Sequence, residues 1–335
     1  MKKYFAFTFF LCVFLSQASS DCSAQSPREG YITASDGVRL FYKVVGSGPE
    51  TLVAVHGGPG NSLNSILPDL EPLAKNRTVI YYDQRGNGRS DVIKDGKKLS
   101  IQKHVEDLET IRQFFKLDKM TLLGNSWGGL LSAYYAVAHP DRVERLILHD
   151  SAPPTKGLLS EMDDELQRRL KRLYTDEELK RISAAVSMES WLKSPDPRAV
   201  CRKMWQTLFP AYVAKVDSDK LIKGDVCSGP EDAIRRQRMV MGQIWRSLGD
   251  YDLLPSLGVV KAPVLVIHGI ADPIPIAASE AWTRTLPNAR LLIINGAGHM
   301  PQFEQPEVFF KAVETFLKGD FPPDAKKVPT STEKN

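Results

Sequence analysis

Gly124-Asn125-Ser126-Trp127-Gly128 sets a serine between two glycines, each two residues away from it. The spacing suits nucleophilic chemistry. A serine lifted out at a sharp strand-to-helix turn has strained backbone angles, and the backbones beside it crowd together. Glycines at those two positions leave room where a Cβ would clash. The turn also aims the first N–H groups of the following helix, that of Trp127 included, at the place where an oxyanion would form. The flanks fit this setting: Met120–Leu123 reads as an apolar strand, and Leu130, Leu131, Tyr134, Tyr135 and Val137 recur at helical spacings up to about His139. A glycine-rich turn without chemistry is the plain alternative, and the strand–turn–helix context argues against it.

A serine hydroxyl needs a base within hydrogen-bond reach, oriented in turn by an acid. The chain has six histidines. His104 lies mid-helix, His139 ends a helix, His149 and His268 close apolar strands, and His56 opens a glycine loop. His299 alone stands in a Gly-rich loop, Gly296–His299, between the last strand and the last helix, at the sheet edge where ligands bind. It is the expected base. Asp272, in Gly269–Pro273 after the strand ending at His268, is the expected acid, with Asp150 after the preceding strand as its rival. The order Ser126, Asp272, His299 is the one this architecture uses. His56-Gly57-Gly58-Pro59-Gly60 offers unobstructed backbone donors, with the Gly58 N–H as the second oxyanion-hole group beside that of Trp127, and Gly57 close behind. Asp83–Ser90 is expected to brace that loop through ion pairs.

These residues need a frame. Tyr31–Ala34, a turn at Ser35–Gly37, and Val38–Val45 read as a β-hairpin. Continuous apolar strands follow at Thr51–Val55, Thr78–Tyr82, 120–123 and Val143–His149, with a helix at about 102–116. Such runs mark a sheet covered on both faces, and the alternation of strand and helix marks it as mostly parallel. From Pro153 to about Asp252 the alternation stops, and charged amphipathic helices such as Glu161–Tyr174 and Asp176–Val186 replace it. It resumes with strands at Pro263–His268 and Arg290–Ile294 and helices at about 276–286 and 306–317. The expected division is a core at 30–152 and 253–318, a helical cap at 153–252, and a disordered Pro- and Lys-rich tail at 319–335.

The chain is 335 residues long with 42% hydrophobic residues, enough for one large core and an accessory lobe. Lys2 and Lys3, the apolar run Tyr4–Leu15 and the small residues at 16–20 have the layout of a secretory signal peptide over residues 1–20. Its loss lowers the formal charge of +4 by the two lysines, to about +2, which excludes an argument for nucleic acid. The expected address is therefore periplasmic or secreted, with membrane contact only if Cys22 carries a lipid. Of the four cysteines, Cys201 and Cys227 share one segment and could pair in an oxidising compartment, free buried thiols being the alternative. No Cys/His spacing has the form of a metal site.

Taken together, His56–Gly60, Asp83–Ser90, Gly124–Gly129 and Gly298-His299 resemble the α/β-hydrolases, and within them the proline iminopeptidase and tricorn-interacting aminopeptidase family. The resemblance spans about 30–152 and 253–318. It implies an α/β-hydrolase fold, a mostly parallel sheet flanked by helices with an inserted helical cap. It also implies release of an N-terminal residue, often proline, from a small peptide through an acyl-enzyme without a cofactor. In that family, acids in and near the cap bind the substrate's free amine. Glu161, Glu189 and Glu231 are available here, and Glu189 is the first choice. An esterase, lactonase or amidase acting on a small molecule is the competing reading, and a catalytically silent binding module a third. An epoxide hydrolase or dehalogenase would carry Asp where Ser126 stands.

Overall fold

The computed structural model describes residues 28–217 and 222–329. The expected signal peptide, Cys22 and residues 330–335 lie outside the described residues. β1 (Arg28–Thr33) and β2 (Arg39–Val45) form the antiparallel hairpin. β3 (Thr51–Val55), β4 (Thr78–Tyr82), β5 (Met120–Asn125), β6 (Val143–His149), β7 (Val264–Gly269) and β8 (Ala289–Ile294) complete an eight-stranded sheet of order β1-β2-β4-β3-β5-β6-β7-β8. β2 pairs antiparallel with β4, and the remaining neighbours are parallel.

The central strands carry continuous apolar runs because alternate side chains enter different cores. Val53 and Val55, Leu122, Leu146, Leu148 and Val266 join one cluster, whereas Leu52, Ala54, Leu123, Ile147 and Ile267 join the other. The short α1 (Leu67–Leu70) lies beneath the sheet, where Leu70 enters the second cluster. α2 (Ile101–Phe114) and α3 (Trp127–Ala138) bury Leu108, Ile111, Leu130 and Leu131 in the first.

Between β6 and β7 the described residues form α4 (Lys156–Leu173), α5 (Asp176–Ala185), α6 (Met188–Lys193), α7 (Pro197–Tyr212) and α8 (Glu231–Leu248). Their starts are written in the sequence. Thr155, Thr175, Ser187 and Asp196 each accept a first-turn backbone N–H, and Thr175 with Glu178 closes a reciprocal capping box. Trp191, Cys201, Val226, Cys227 and Ile234 form a separate small core that joins these helices. Cys201 and Cys227 are bridged, one of the two states the sequence left open.

α9 (Ile276–Thr285), α10 (Pro301–Glu304) and α11 (Pro306–Leu317) follow β7 and β8. Phe309, Val313 and Phe316 of α11 fill the second core. The tail departs from expectation as far as residue 329. Lys326 pairs with Leu291 along the edge of β8, Ala325 is buried, and Phe321 lies 5.3 Å from the ring of Phe316. Two apolar groups and an open sheet edge suffice to hold a segment that is polar on average. Among the described residues no helix is long and apolar enough to cross a membrane.

Candidate active site

β5 delivers Ser126 to the N-terminus of α3 with φ 54° and ψ −121°, a conformation that side chains rarely adopt. Four backbone bonds hold it there: the Ser126 N–H donates to His149 O at 3.0 Å, and Ser126 O accepts from Gly129 and Ala152, both at 2.9 Å, and from Leu130 at 3.3 Å. The flanking glycines are required by space. A Cβ on Gly124 would lie 2.3 Å from Gly128 O, and one on Gly128 would lie 2.1 Å from Val55 O. The elbow therefore packs backbone against backbone between β3, β5 and α3.

His299 reaches the same place from the β8–α10 loop. Its Nδ1 lies 2.8 Å from Asp272 Oδ2, and its backbone N–H donates to Tyr212 O at 2.7 Å. Asp272 Oδ1 accepts from the Ile274 N–H at 2.9 Å. Asp272 is fully enclosed. Burial pushes its carboxyl up, but the adjoining His299, through charge and hydrogen bond, more than offsets this and holds the group below its ordinary range. Ser126 and His299 both line a cavity of about 80 Å³, walled by Trp205, Phe209, Tyr212 and Trp245 and floored by Gly57 and Gly58. Ser126 and His299 thus share one enclosed space, and Asp272 reaches it only through its bond to His299.

Trp127 follows the serine directly, and Gly58 lines the same cavity as Ser126. Among the described residues neither backbone N–H has a protein acceptor, which leaves both available for a substrate oxygen. The side chain of Trp127 is buried and donates to Gln84 Oε1 at 2.9 Å. Gln84 also donates to His56 O at 2.8 Å and, through its backbone N–H, to His56 Nε2 at 3.2 Å. Asp83 accepts from Leu63 and Arg89 N–H groups, each at 2.7 Å. The glycine loop is thus braced by hydrogen bonds, not by the ion pairs expected. The one buried arginine of that segment, Arg85, turns away to Asp107 and Asp36, at 2.5 and 3.0 Å.

Asp150, the rival acid, stands beside the site rather than outside it. It is fully buried at φ 42°, and its Oδ1 accepts from the Gly269 N–H at 2.8 Å. Carboxylate oxygens of Asp150 and Asp272 and a ring nitrogen of His268 lie within 4.8 Å of one another. Two buried carboxylates that close cannot both ionise. Asp272 receives both His299 and the Ile274 N–H, so the charge sits there. Burial first, and then the charge of Asp272, push Asp150 well above its ordinary value. Neighbouring His149 is pushed down to about 3 by burial and stays neutral 3.3 Å from Asp150 Oδ2.

Glu189 is not brought to the site. It lies exposed on α6, bonded to Lys193 at 2.8 Å. Trp191, two positions on and so on the opposite side of the helix, is the residue that packs inward. The sequence reading also passed over two residues that matter here. Arg169 of α4 donates to Ala271 O at 2.6 Å and to Asp272 O at 3.0 Å, clamping the inserted helices to the acid's loop. Asp163, seven residues into α4, is among the described residues the one carboxylate lining a second cavity of about 710 Å³ that adjoins the first. Its signal was helical spacing, since Lys156, Leu159 and Asp163 fall on one face.

A family model for the alpha/beta hydrolase fold matches residues 50–306. The chain is 30% identical to a proline iminopeptidase of Heyndrickxia coagulans over 301 residues, covering 86% of this chain and 98% of that protein. Its fold is similar to the crystal structure of a proline iminopeptidase of Mycobacterium smegmatis, with a TM-score of 0.64 and 23% identity across 87% of this chain and 98% of that one. It is equally similar to an esterase from Exiguobacterium antarcticum, with a TM-score of 0.64 and 20% identity across 87% of this chain and 100% of that one.

Proposed function

From the premise that this chain belongs to the α/β-hydrolase fold family, we propose that it is a serine hydrolase acting through an acyl-enzyme. The observation that carries the reading is the 2.8 Å bond between His299 and Asp272 at a cavity that Ser126 also lines. Ser126 attacks the substrate carbonyl and passes its proton to His299 Nε2. Asp272 holds the imidazole by Nδ1 and offsets the charge it acquires. The N–H groups of Trp127 and Gly58 receive the oxyanion. Collapse of the tetrahedral adduct breaks the bond to the leaving group, which takes the proton from His299. Water, activated by the same histidine, then frees the acyl part and restores the serine hydroxyl.

The finer reading is an exopeptidase that releases an N-terminal residue, proline above all. The kinship with proline iminopeptidases supports it, as does the size of the inner cavity, which suits a small ring and shuts out an internal chain segment. A substrate ammonium needs a carboxylate partner. With Glu189 directed outward, Asp163 takes that role: it follows Met162, which lines both cavities. Esterase or lactonase action is the second reading, favoured by one observation: among the described residues no carboxylate lines the inner cavity itself. Export remains part of the proposal, and the Cys201–Cys227 bridge fits an oxidising compartment.

One assay decides between the two readings. Prolyl arylamide, its N-acetylated form and a simple acyl ester are compared side by side. An exopeptidase loses about two orders of magnitude in kcat/KM on acetylation. Equal rates, or turnover of the ester alone, would select the esterase. Failure of Ser126 to react with a fluorophosphonate would leave a binding module.

A further inference from the structure

The larger cavity is closed by one face each of three inserted helices. On α8, Arg238, Met241 and Trp245 recur three and four residues apart, so guanidinium and indole enter the same space. Lys156 begins α4, and Arg246 follows Trp245. The lining therefore carries three cations against the single carboxylate of Asp163. Several guanidinium groups elsewhere in the molecule are matched, Arg85 to Asp107, Arg77 to Glu314 and Arg169 to Glu165, whereas here Arg238 is half-buried and Lys156 and Arg246 stand at the exposed rim. Among the described residues Lys156, Arg238 and Arg246 make no ion pair, and Arg238 donates only to the carbonyl of Val186. A cleft whose lining carries an excess of one sign of charge draws the opposite charge into it.

The two cavities divide the substrate. The inner one, mostly apolar and only about 80 Å³, takes the body of the acyl part that becomes joined to Ser126, any free amine on it reaching past Met162 to Asp163 where the two spaces meet. Tyr212, Trp205 and Trp245 line both spaces, so the part of the substrate beyond the scissile bond continues into the larger one.

We infer that the larger cavity receives the leaving-group side of the substrate and that Arg238 and Arg246, with Lys156, recognise a carboxylate on it. The substrate class is then a short peptide or acylated amino acid with a free C-terminal carboxylate. This rests on Ser126 as the reacting residue but not on the identity of the acyl part. Guanidinium groups suit the role because their fork matches the two oxygens of a carboxylate.

The test is binding to full-length Ser126→Ala protein, which separates recognition from turnover. Calorimetric titrations compare prolyl-glycine with prolyl-glycinamide, and N-butyrylglycine with its amide. The free carboxylate should bind about tenfold tighter or more in at least one pair. Adding Arg238→Gln and Arg246→Gln should bring that ratio close to one, while an unchanged melting temperature shows the fold intact. A merely structural role for the arginines would weaken both members of a pair alike. Preference in the butyryl pair alone would uphold the carboxylate site while removing the exopeptidase reading. Equal affinities within both pairs, no measurable binding in either, or a ratio untouched by the arginine substitutions would overturn the inference.

Discussion

The loops at the carboxyl edge of the sheet and the helices laid over them treat buried charge in opposite ways. At the edge, every enclosed charge is answered. Asp272 has His299 and a backbone N–H, and Asp83 has two backbone N–H groups although burial still pushes it up to about 6. Asp150, which has the fewest partners of the three, escapes the cost by remaining neutral. Over the larger cavity, Arg238 and Arg246 make no ion pair among the described residues, and Lys156 acts on Asp163 only through space. One region holds a fixed set of reacting groups in a single geometry. The other leaves charges open, and open charges select what enters. On the proposed reading, reaction type and substrate choice are carried by different parts of the chain, and substitutions should separate them.

The largest separation is expected at the edge. Ser126→Ala should lower turnover by four orders of magnitude or more, since the hydroxyl adds chemistry and little packing, roughly 10⁴- to 10⁶-fold by the behaviour of such triads. His299→Ala should match it, and the double variant should be no worse than either single one, because the residues act as a unit. Burst kinetics with a chromogenic ester would check both. Near-native turnover by pure Ser126→Ala protein would remove the assignment. Among the open charges, Asp163→Asn should reduce kcat/KM for a free-amine substrate by about two orders of magnitude and leave the acetylated one nearly untouched. Equal loss on both would show that Asp163 shapes the helix and does not read the amine.

A smaller effect on turnover is expected from the link that holds the inserted helices together. Cys201 and Cys227 close a loop of 26 residues. By chain entropy that constraint stabilises the fold by about 3 kcal/mol. Cys201→Ser should lower the denaturation midpoint accordingly. Its effect on rate should be a few-fold and confined to KM, because Arg169 still ties α4 to the acid's loop. A fall in kcat instead would mean that the inserted helices position the edge loops more than their contacts imply.

The same contrast governs what could be read from the amino acids. The elbow was legible because its constraint is local and steric: Gly124 and Gly128 have carbonyls where a Cβ would be, and no distant residue has to be known. Strands were legible because apolar runs such as Thr51–Val55 serve two cores at once. His299 followed from topology, since among the histidines it alone stands in the loop between the last strand and the last helices, at the carboxyl edge of the sheet. The inserted helices were legible as helices through their caps, but not as a binding surface. Which face of α6 turns inward depends on Trp191 finding Ile234, 43 residues away, where its indole N–H donates at 2.6 Å to the carbonyl. That long-range contact sends Glu189 outward. Nothing in the spacing of acids alone reveals it. The bracing of the glycine loop failed for a related reason: Arg85 looked free to pair locally but is claimed by Asp107 on α2.

The finest test concerns the two acids. If Asp272 carries the charge and Asp150 is neutral, Asp150→Asn keeps the acceptor for the Gly269 N–H and replaces one neutral group by another, so turnover near neutral pH should change little. Stability should respond with a definite sign. A carboxyl whose folded pKa is raised contributes most below its unfolded value of 3.8, and that contribution is lost as pH rises toward the folded value. The native protein therefore falls behind the asparagine variant by about 1.4 kcal/mol per pH unit across that window, as an order of magnitude. The two should melt together near pH 4, and the variant should melt higher at pH 7. Asp272→Asn should do the reverse on rate, with a loss of several orders of magnitude, because the imidazole loses the acceptor that fixes its tautomer. If instead Asp150 were the ionised acid, its asparagine variant would lose turnover and gain no stability with pH. Parallel melting curves and pH–rate profiles of the two variants distinguish these cases, and a slow Asp150→Asn enzyme beside an active Asp272→Asn enzyme would transfer the role of orienting acid from the end of β7 to the end of β6.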